Sequence, residues 1–245
     1  MPRSIYHAAL RLLISLVICV PLCAQQLWEK KDYRQWSRQE CEKILADSPW
    51  AREYRMEKSQ VELLQSDSTD RAREARPWIA YQFQFRSALP LRQAVARLTA
   101  LGANYDKFTD EQKHNFDAKS EKYLAAPFPD TILVHVIYDS NTPSYQGDLA
   151  RYWQTKTPEL LRNSIFLMNS RGDKVEPVRL INGQGAQHEF DLYFPRQVNG
   201  RPTLLPEDKT ASIELTHPTI DIFPTQRIFV EFRIAKMMMG GNLVH

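Results

Sequence analysis

Histidine, cysteine and carboxylate side chains could do chemistry in this chain, but their spacing gathers them into no familiar constellation. Beyond residue 24 stand His114, His135, His188, His217 and His245. No two have the spacing of zinc ligands, as in His-x-His or His-Glu-x-x-His. In His188-Glu189-Phe190-Asp191 an extended chain throws His188 and Glu189 to opposite faces, which is poor geometry for one ion. Cys41 falls on the apolar stripe of a predicted helix, where a small buried hydrophobe is expected rather than a nucleophile. The chain has no G-x-S-x-G elbow, phosphate-binding P-loop, G-x-G-x-x-G or C-x-x-C. Carboxylates are plentiful, but nothing singles out a pair for glycosidase-type chemistry. The expectation is no catalytic residue, no metal and no cofactor. The alternative is a hydrolase with an unfamiliar site, motivated by the spare carboxylates and by His135 and His188 on predicted strands.

An aromatic surface is the other route to function. Tyr145, Tyr152 and Trp153 are the candidate binding residues, for a protein or glycan partner. Trp36 and Trp50 could form a similar platform, but two such rings in a helix pair are expected to plug it onto a sheet. Arg171-Gly172-Asp173 has the letters of an adhesion tripeptide. It lies between the apolar runs Ile165–Met168 and Val175–Ile181, where glycine supplies positive φ and Asn169 and Asp173 supply local hydrogen bonds. A hairpin turn accounts for it fully. Met237-Met238-Met239-Gly240-Gly241 reads as a core cap followed by a bend.

The elements that must position these residues follow from composition and period. The chain has 245 residues, 43% hydrophobic and 25% charged, enough to bury a core without disulfides or metals. Its formal charge is +3, and two of those charges, Arg3 and Arg11, stand in an acid-free leader. What remains is near neutral, so nucleic acid binding has no electrostatic footprint.

Residues 1–24 read as a signal peptide. Arg3, His7 and Arg11 precede an apolar core at Leu12–Val20, and Pro21-Leu22-Cys23-Ala24 leads into polar Gln25-Gln26. That core is far short of the roughly 20 apolar residues of a spanning helix, so no stable membrane span is expected after cleavage near Ala24. The mature chain would be secreted or periplasmic. Cys19 and Cys23 would leave with the leader, and Cys41 alone cannot form an intramolecular disulfide. Lipid attachment at Cys23 is the alternative, although Leu22 stands where a small residue is wanted.

Residues 32–46 have the period of an amphipathic helix, with Tyr33, Trp36, Cys41, Ile44 and Leu45 on its stripe. Ser48 as N-cap and Pro49 at the first helical position predict a restart. Residues 52–76 are charge-dense and read as a solvated excursion with a loop tip at Ser66–Asp70. A strand is expected over Pro77–Arg86, then a helix from Leu89 to a Gly102 cap, and another from Thr109 to about Leu124. Thr131–Asp139 is apolar on both faces, as in a central strand. A short helical turn is expected at Asp148–Thr155, then strands at Ser164–Asn169, Val175–Asn182, His188–Phe194, Ser212–Leu215 and Gln226–Ala235. In the last, Ile228, Val230, Phe232 and Ile234 share one apolar face, which demands a covering layer. The predicted class is α+β: N-terminal helices with one strand over residues 25–130, then a mainly antiparallel β-sandwich of immunoglobulin-like architecture over 131–245. The two regions could equally form one integrated domain.

Three stretches together carry a family likeness: Trp36–Cys41 continuing to Asp47-Ser48-Pro49-Trp50-Ala51, then Tyr81–Arg97 with Arg86-Ser87-Ala88-Leu89-Pro90, and Val230–Gly240. Through them the chain resembles a group of uncharacterised exported bacterial proteins of the acidobacterial type. The resemblance implies export and brings no activity, cofactor or catalytic residue with it.

Overall fold

The computed structural model describes residues 27–58, 76–183 and 188–245. The leader with its cleavage site, Cys19, Cys23 and the Ser66–Asp70 loop tip lie outside the described residues.

The predicted helix over residues 32–46 is divided. After α1 (Leu27–Lys30) comes a 3-10 turn at Tyr33–Gln35, and α2 runs over Arg38–Ala46. Ser37 starts α2 with a capping box: its hydroxyl accepts from the Glu40 N–H, and the Glu40 carboxylate accepts from the Ser37 N–H at 2.6 Å. That reciprocal cap was readable in Ser37-x-x-Glu40 and outweighs continuity through Trp36. No helix restarts at Ser48. Residues Ser48 and Ala51 form a bridge, and the chain passes directly into β1 (Ala51–Glu57), inside the run read as a solvated excursion. An edge strand exposes one flank and one face, so it tolerates charges that a central strand does not. Glu53, Arg55 and Glu57 stand on that face, and Arg55 lies 3.9 Å from the Trp78 ring centroid.

Then follow β2 (Trp78–Phe85), α3 (Leu89–Gly102), α4 (Asp110–Ala125), β3 (Thr131–Ser140) and α5 (Pro143–Gln154). Gly102 stays inside α3, and the left-handed residue beyond it is Asn104, with φ of 54°. The longer strands of the second half are β4 (Ile165–Asn169), β6 (Arg179–Asn182), β7 (Glu189–Pro195), β10 (Thr210–His217) and β11 (Gln226–Arg233). Short pieces complete it: β5 (Lys174–Val175), β8 (Gln197–Val198), β9 (Arg201–Pro202), β12 (Met238–Met239) and β13 (Asn242–Leu243).

Two antiparallel sheets result, in the orders β1-β2-β3-β7-β6 and β11-β10-β4-β5. The expected single strand Val175–Asn182 therefore belongs to both sheets, β5 to one and β6 to the other. Pro177 stands at the break because it has no N–H to give a ladder. Strands β1 and β2 come from the helical half: β1 pairs with β2, β2 with β3, and β3 with β7. Their shared inner face carries Tyr81, Phe83 and Phe85 beside Tyr138, Val136 and Val134, all buried. The four-stranded sheet answers with Ile213, Leu215, Ile228, Val230 and Phe232. Phe85 and Phe232 meet across the gap edge to face, with ring centroids 4.8 Å apart. The architecture is α+β, an antiparallel sandwich with helix α2 against β1 and helix α3 packed on α2.

Trp36, Cys41 and Trp50 are fully buried in this core, as plugs rather than a platform. Burial pushes the Cys41 thiol up to about 11, which leaves it protonated and unreactive at neutral pH. At the other end of the chain Met237 caps the core, and the β12–β13 hairpin turns at Gly240 and Gly241, with φ of 54° and 80°.

Helix α4 buries none of its own residues. It is held from α3 by Arg92, whose guanidinium donates to the carbonyls of Tyr123, Leu124 and Ala126 at 3.3, 2.7 and 2.9 Å. Those are orphan carbonyls of the helix end, and a cation there also opposes the helix dipole. Arg92→Met keeps the stem and removes the anchor. Hydrogen exchange should accelerate through the last turns of α4 in this variant while the strands keep their protection. The expected local loss is about 1.5–3 kcal/mol. Unchanged exchange over residues 116–126 would show that something else holds the helix.

Candidate functional site

The outer face of the five-stranded sheet carries the densest gathering of chemically capable side chains. In β7, Glu189 and Asp191 are two residues apart and so share a face. His135 of β3 lies directly opposite Asp191 in register. Its Nδ1 is 2.8 Å from Asp191 Oδ1, and its Nε2 is 3.4 Å from Glu189 Oε2. Behind them Arg86 donates to Gln84 Oε1 at 2.6 Å, and Gln84 donates to the Leu45 carbonyl of α2 at 2.8 Å. Burial pulls the Arg86 guanidinium below its ordinary value, while Tyr123, Asp191 and Glu189 act to keep it charged. The group opens into a shallow pocket of about 190 Å³, which Ile181, Asn182 and Gly183 close at the sheet edge.

An aspartate on Nδ1 fixes a histidine tautomer and leaves Nε2 to hold or move a proton. Here Nε2 meets a second carboxylate, and the group includes no hydroxyl or thiol nucleophile. Among the described residues no set of three His, Cys, Asp or Glu side chains is placed to hold a metal ion. The arrangement is suited to receive a cation. The sequence missed this grouping because His188 drew attention to the wrong face: Glu189 and Asp191 are the residues that converge, and their partner lies on another strand.

Of the remaining histidines, His114 is exposed on α4 and His188 is half-buried beside Tyr138. His217 is enclosed between the sheets, its Nδ1 2.9 Å from the Tyr81 hydroxyl and its Nε2 without a partner. Burial lowers it to about 4.

The expected aromatic binding residues are placed elsewhere than on an open surface. Trp153 is 1% exposed and Tyr145 5%. Trp153 packs on Phe190 and Tyr81 at centroid distances of 4.7 and 6.2 Å, and Tyr145 packs on Phe223 at 6.0 Å. Tyr152 is half-buried, with the Lys156 ammonium 4.0 Å from its ring centroid. The reason is the length of α5. It begins at Pro143, before the expected Asp148, and Tyr145, Leu149 and Trp153 then form its one apolar stripe and turn inward. The Arg171-Gly172-Asp173 segment is a turn, with Gly172 at φ of 93° between β4 and β5. Arg171 is held there by Asp208 at 2.9 Å and the Pro202 carbonyl at 3.0 Å.

The four-stranded sheet presents a different surface. Along β11 the outward residues Arg227, Phe229, Glu231 and Arg233 are all exposed, so no layer covers them. Phe229, 53% exposed, faces Glu214, which faces Phe166 on the next strand, with Met168 alongside. Glu214 is buried beneath this row and paired with Lys174 at 2.9 Å and Arg227 at 3.2 Å. The result is an apolar row with a charged rim.

Fold and surface together define an α+β antiparallel sandwich, and among the described residues no helix is long and apolar enough to cross a membrane. No family model matches the chain, and no curated protein sequence does. A solved structure described as a novel protein of unknown function from Burkholderia pseudomallei K96243 is similar at 16% identity. The likeness covers 61% of this chain and 73% of that one, with a TM-score of 0.40.

Proposed function

We propose that the chain is exported, loses its leader near Ala24, and serves as a non-enzymatic binding module of the cell envelope or extracellular space. The observation that carries the reading is the row formed by Phe229, 53% exposed, with half-buried Phe166 and Met168 on β4 of the same face. A sandwich normally turns polar residues outward, and apolar residues grouped on an open sheet face mark a site that another macromolecule covers. Charges of both signs around the row favour a protein partner. The leader and the resemblance to exported proteins support that compartment.

Photo-crosslinking from position 229 in intact cells tests the surface, and the intact mass of the mature protein tests export. The expected results are a stoichiometric envelope partner, lost in Phe229→Asp, and a mass lacking residues 1–24. Diffuse crosslinking that Phe229→Asp leaves unchanged would defeat the binding surface. A retained leader would defeat export. One observation favours a second reading, an exported hydrolase: the 2.8 Å Asp191–His135 pair at the mouth of a pocket. Turnover of an ester, peptide or glycoside that disappears in His135→Ala but survives Phe229→Asp would install that reading instead.

A further inference from the structure

We propose that the free edge of β6 accepts an extended peptide as a sixth strand, with a lysine or arginine of that peptide lying over Gly183 against Glu189. The site lies on the five-stranded sheet and is separate from the Phe229 surface.

Strand β6 ends the five-stranded sheet and is paired on one side by β7. Ile181 stands opposite Asp191, and the Gly183 N–H donates to the Glu189 carbonyl at 2.8 Å. Backbone groups in an antiparallel ladder alternate in direction, so the N–H and C=O of Leu180 and Asn182 point away from β7. No backbone group of the described residues bonds them. Edges that must stay free are usually guarded by outstretched charge or by proline. This one displays Val178 and Ile181, 60% and 45% exposed. Its one charge, Arg179, is folded back over Tyr193 at 3.6 Å from the ring centroid.

The acidic pocket gives the added strand its chemistry. Gly183 shares the outer face with Glu189, puts no side chain on that row, and lines the same pocket as Glu189. A new strand would lie about 4.8 Å beyond β6, and β7 is about the same distance on the other side. Only a long side chain bridges that span to meet the glutamate. Glu189 and Asp191 bring two carboxylates to one imidazole here, at 3.4 and 2.8 Å, so the pocket carries acidic character. A cation complements it. Main-chain pairing would supply affinity and the basic side chain would supply register, as in other strand-addition complexes.

The probe is a blocked peptide, Val-Thr-Val-Lys-Val-Thr-Val, compared with the same peptide carrying norleucine for lysine. Amide hydrogen exchange and chemical shifts of the isotope-labelled protein report the contact. Binding of the lysine peptide should protect the Leu180 and Asn182 amides and move the signals of Gly183 and Glu189. It should weaken at least tenfold with norleucine, with Glu189→Gln, or with Gly183→Val. If a substituted protein fails to fold, the norleucine comparison on the unaltered protein still decides. The proposal is overturned by no binding, by equal binding of the two peptides, or by binding that leaves the Leu180 and Asn182 amides exchanging freely.

Discussion

Phe232→Ala is expected to lower the unfolding free energy by about 3–5 kcal/mol, the range for deleting a buried phenyl ring. Phe232 is fully buried in β11, opposite Ala211, and its ring edge meets Phe85 of the other sheet. Both rings stand on strands fixed by ladders, so neither backbone can close over the space left behind. Aromatic pairing between the two adds about 0.5–1.5 kcal/mol that no aliphatic neighbour replaces. Phe229→Ala provides the control on the same strand. That ring stands on the open face, and its loss should stay within about 1 kcal/mol. Urea denaturation of the two variants measures both numbers. Equal costs would mean that the inward and outward faces of β11 have been assigned wrongly.

Acidification should destabilise the fold through His217. Burial holds its folded value at about 4, against 6.5 for the free side chain. Between those two values the unfolded chain takes up a proton that the folded chain refuses, so stability falls as pH drops from about 6.5 to 4. At about 1.36 kcal/mol per unit the full loss is about 3.4 kcal/mol, and the slope from this residue fades below pH 4. Tyr81 is the polar neighbour of His217 across the sandwich, and the second ring nitrogen is enclosed without an acceptor for a new proton. His245 is shifted the same way, by burial and then by Arg196, and contributes in the same window. Unfolding curves at pH 7.5 and 4.5 for the parent and His217→Gln separate the two, because His245 is common to both. The parent should lose about 2.5 kcal/mol more than the variant. Parallel losses would remove His217 as the cause.

The periodic elements were legible and the irregular ones were not. Alternation at Ile79–Phe85 and Ile228–Phe232 placed both strands and the faces they bury. Strand β1 was hidden because an edge position lets Arg52, Glu53, Arg55 and Glu57 stand in extended chain without an apolar run. The split of residues 175–182 was foreshadowed by Pro177 alone. Both expected buried tryptophans and the turn at Gly172 followed from local chemistry, and the structure agrees with each. The His135 group could not be read in advance. Its members come from strands joined through α5, β4, β5 and β6, so their meeting is a property of sheet order, and no spacing along the chain encodes it.

The pairing of early strands with late ones bears on how the chain is made. Ribosomes deliver β1 and β2 long before β10 and β11, yet Phe85 is covered only when Phe232 arrives. Until then a growing chain carries Phe83 and Phe85 without β10 and β11 to close over them, and contacts this distant in sequence form slowly. A nascent chain with that history must be kept from aggregating until its last strands emerge. A fragment ending before Thr210 should therefore associate with holding chaperones rather than settle as a folded half.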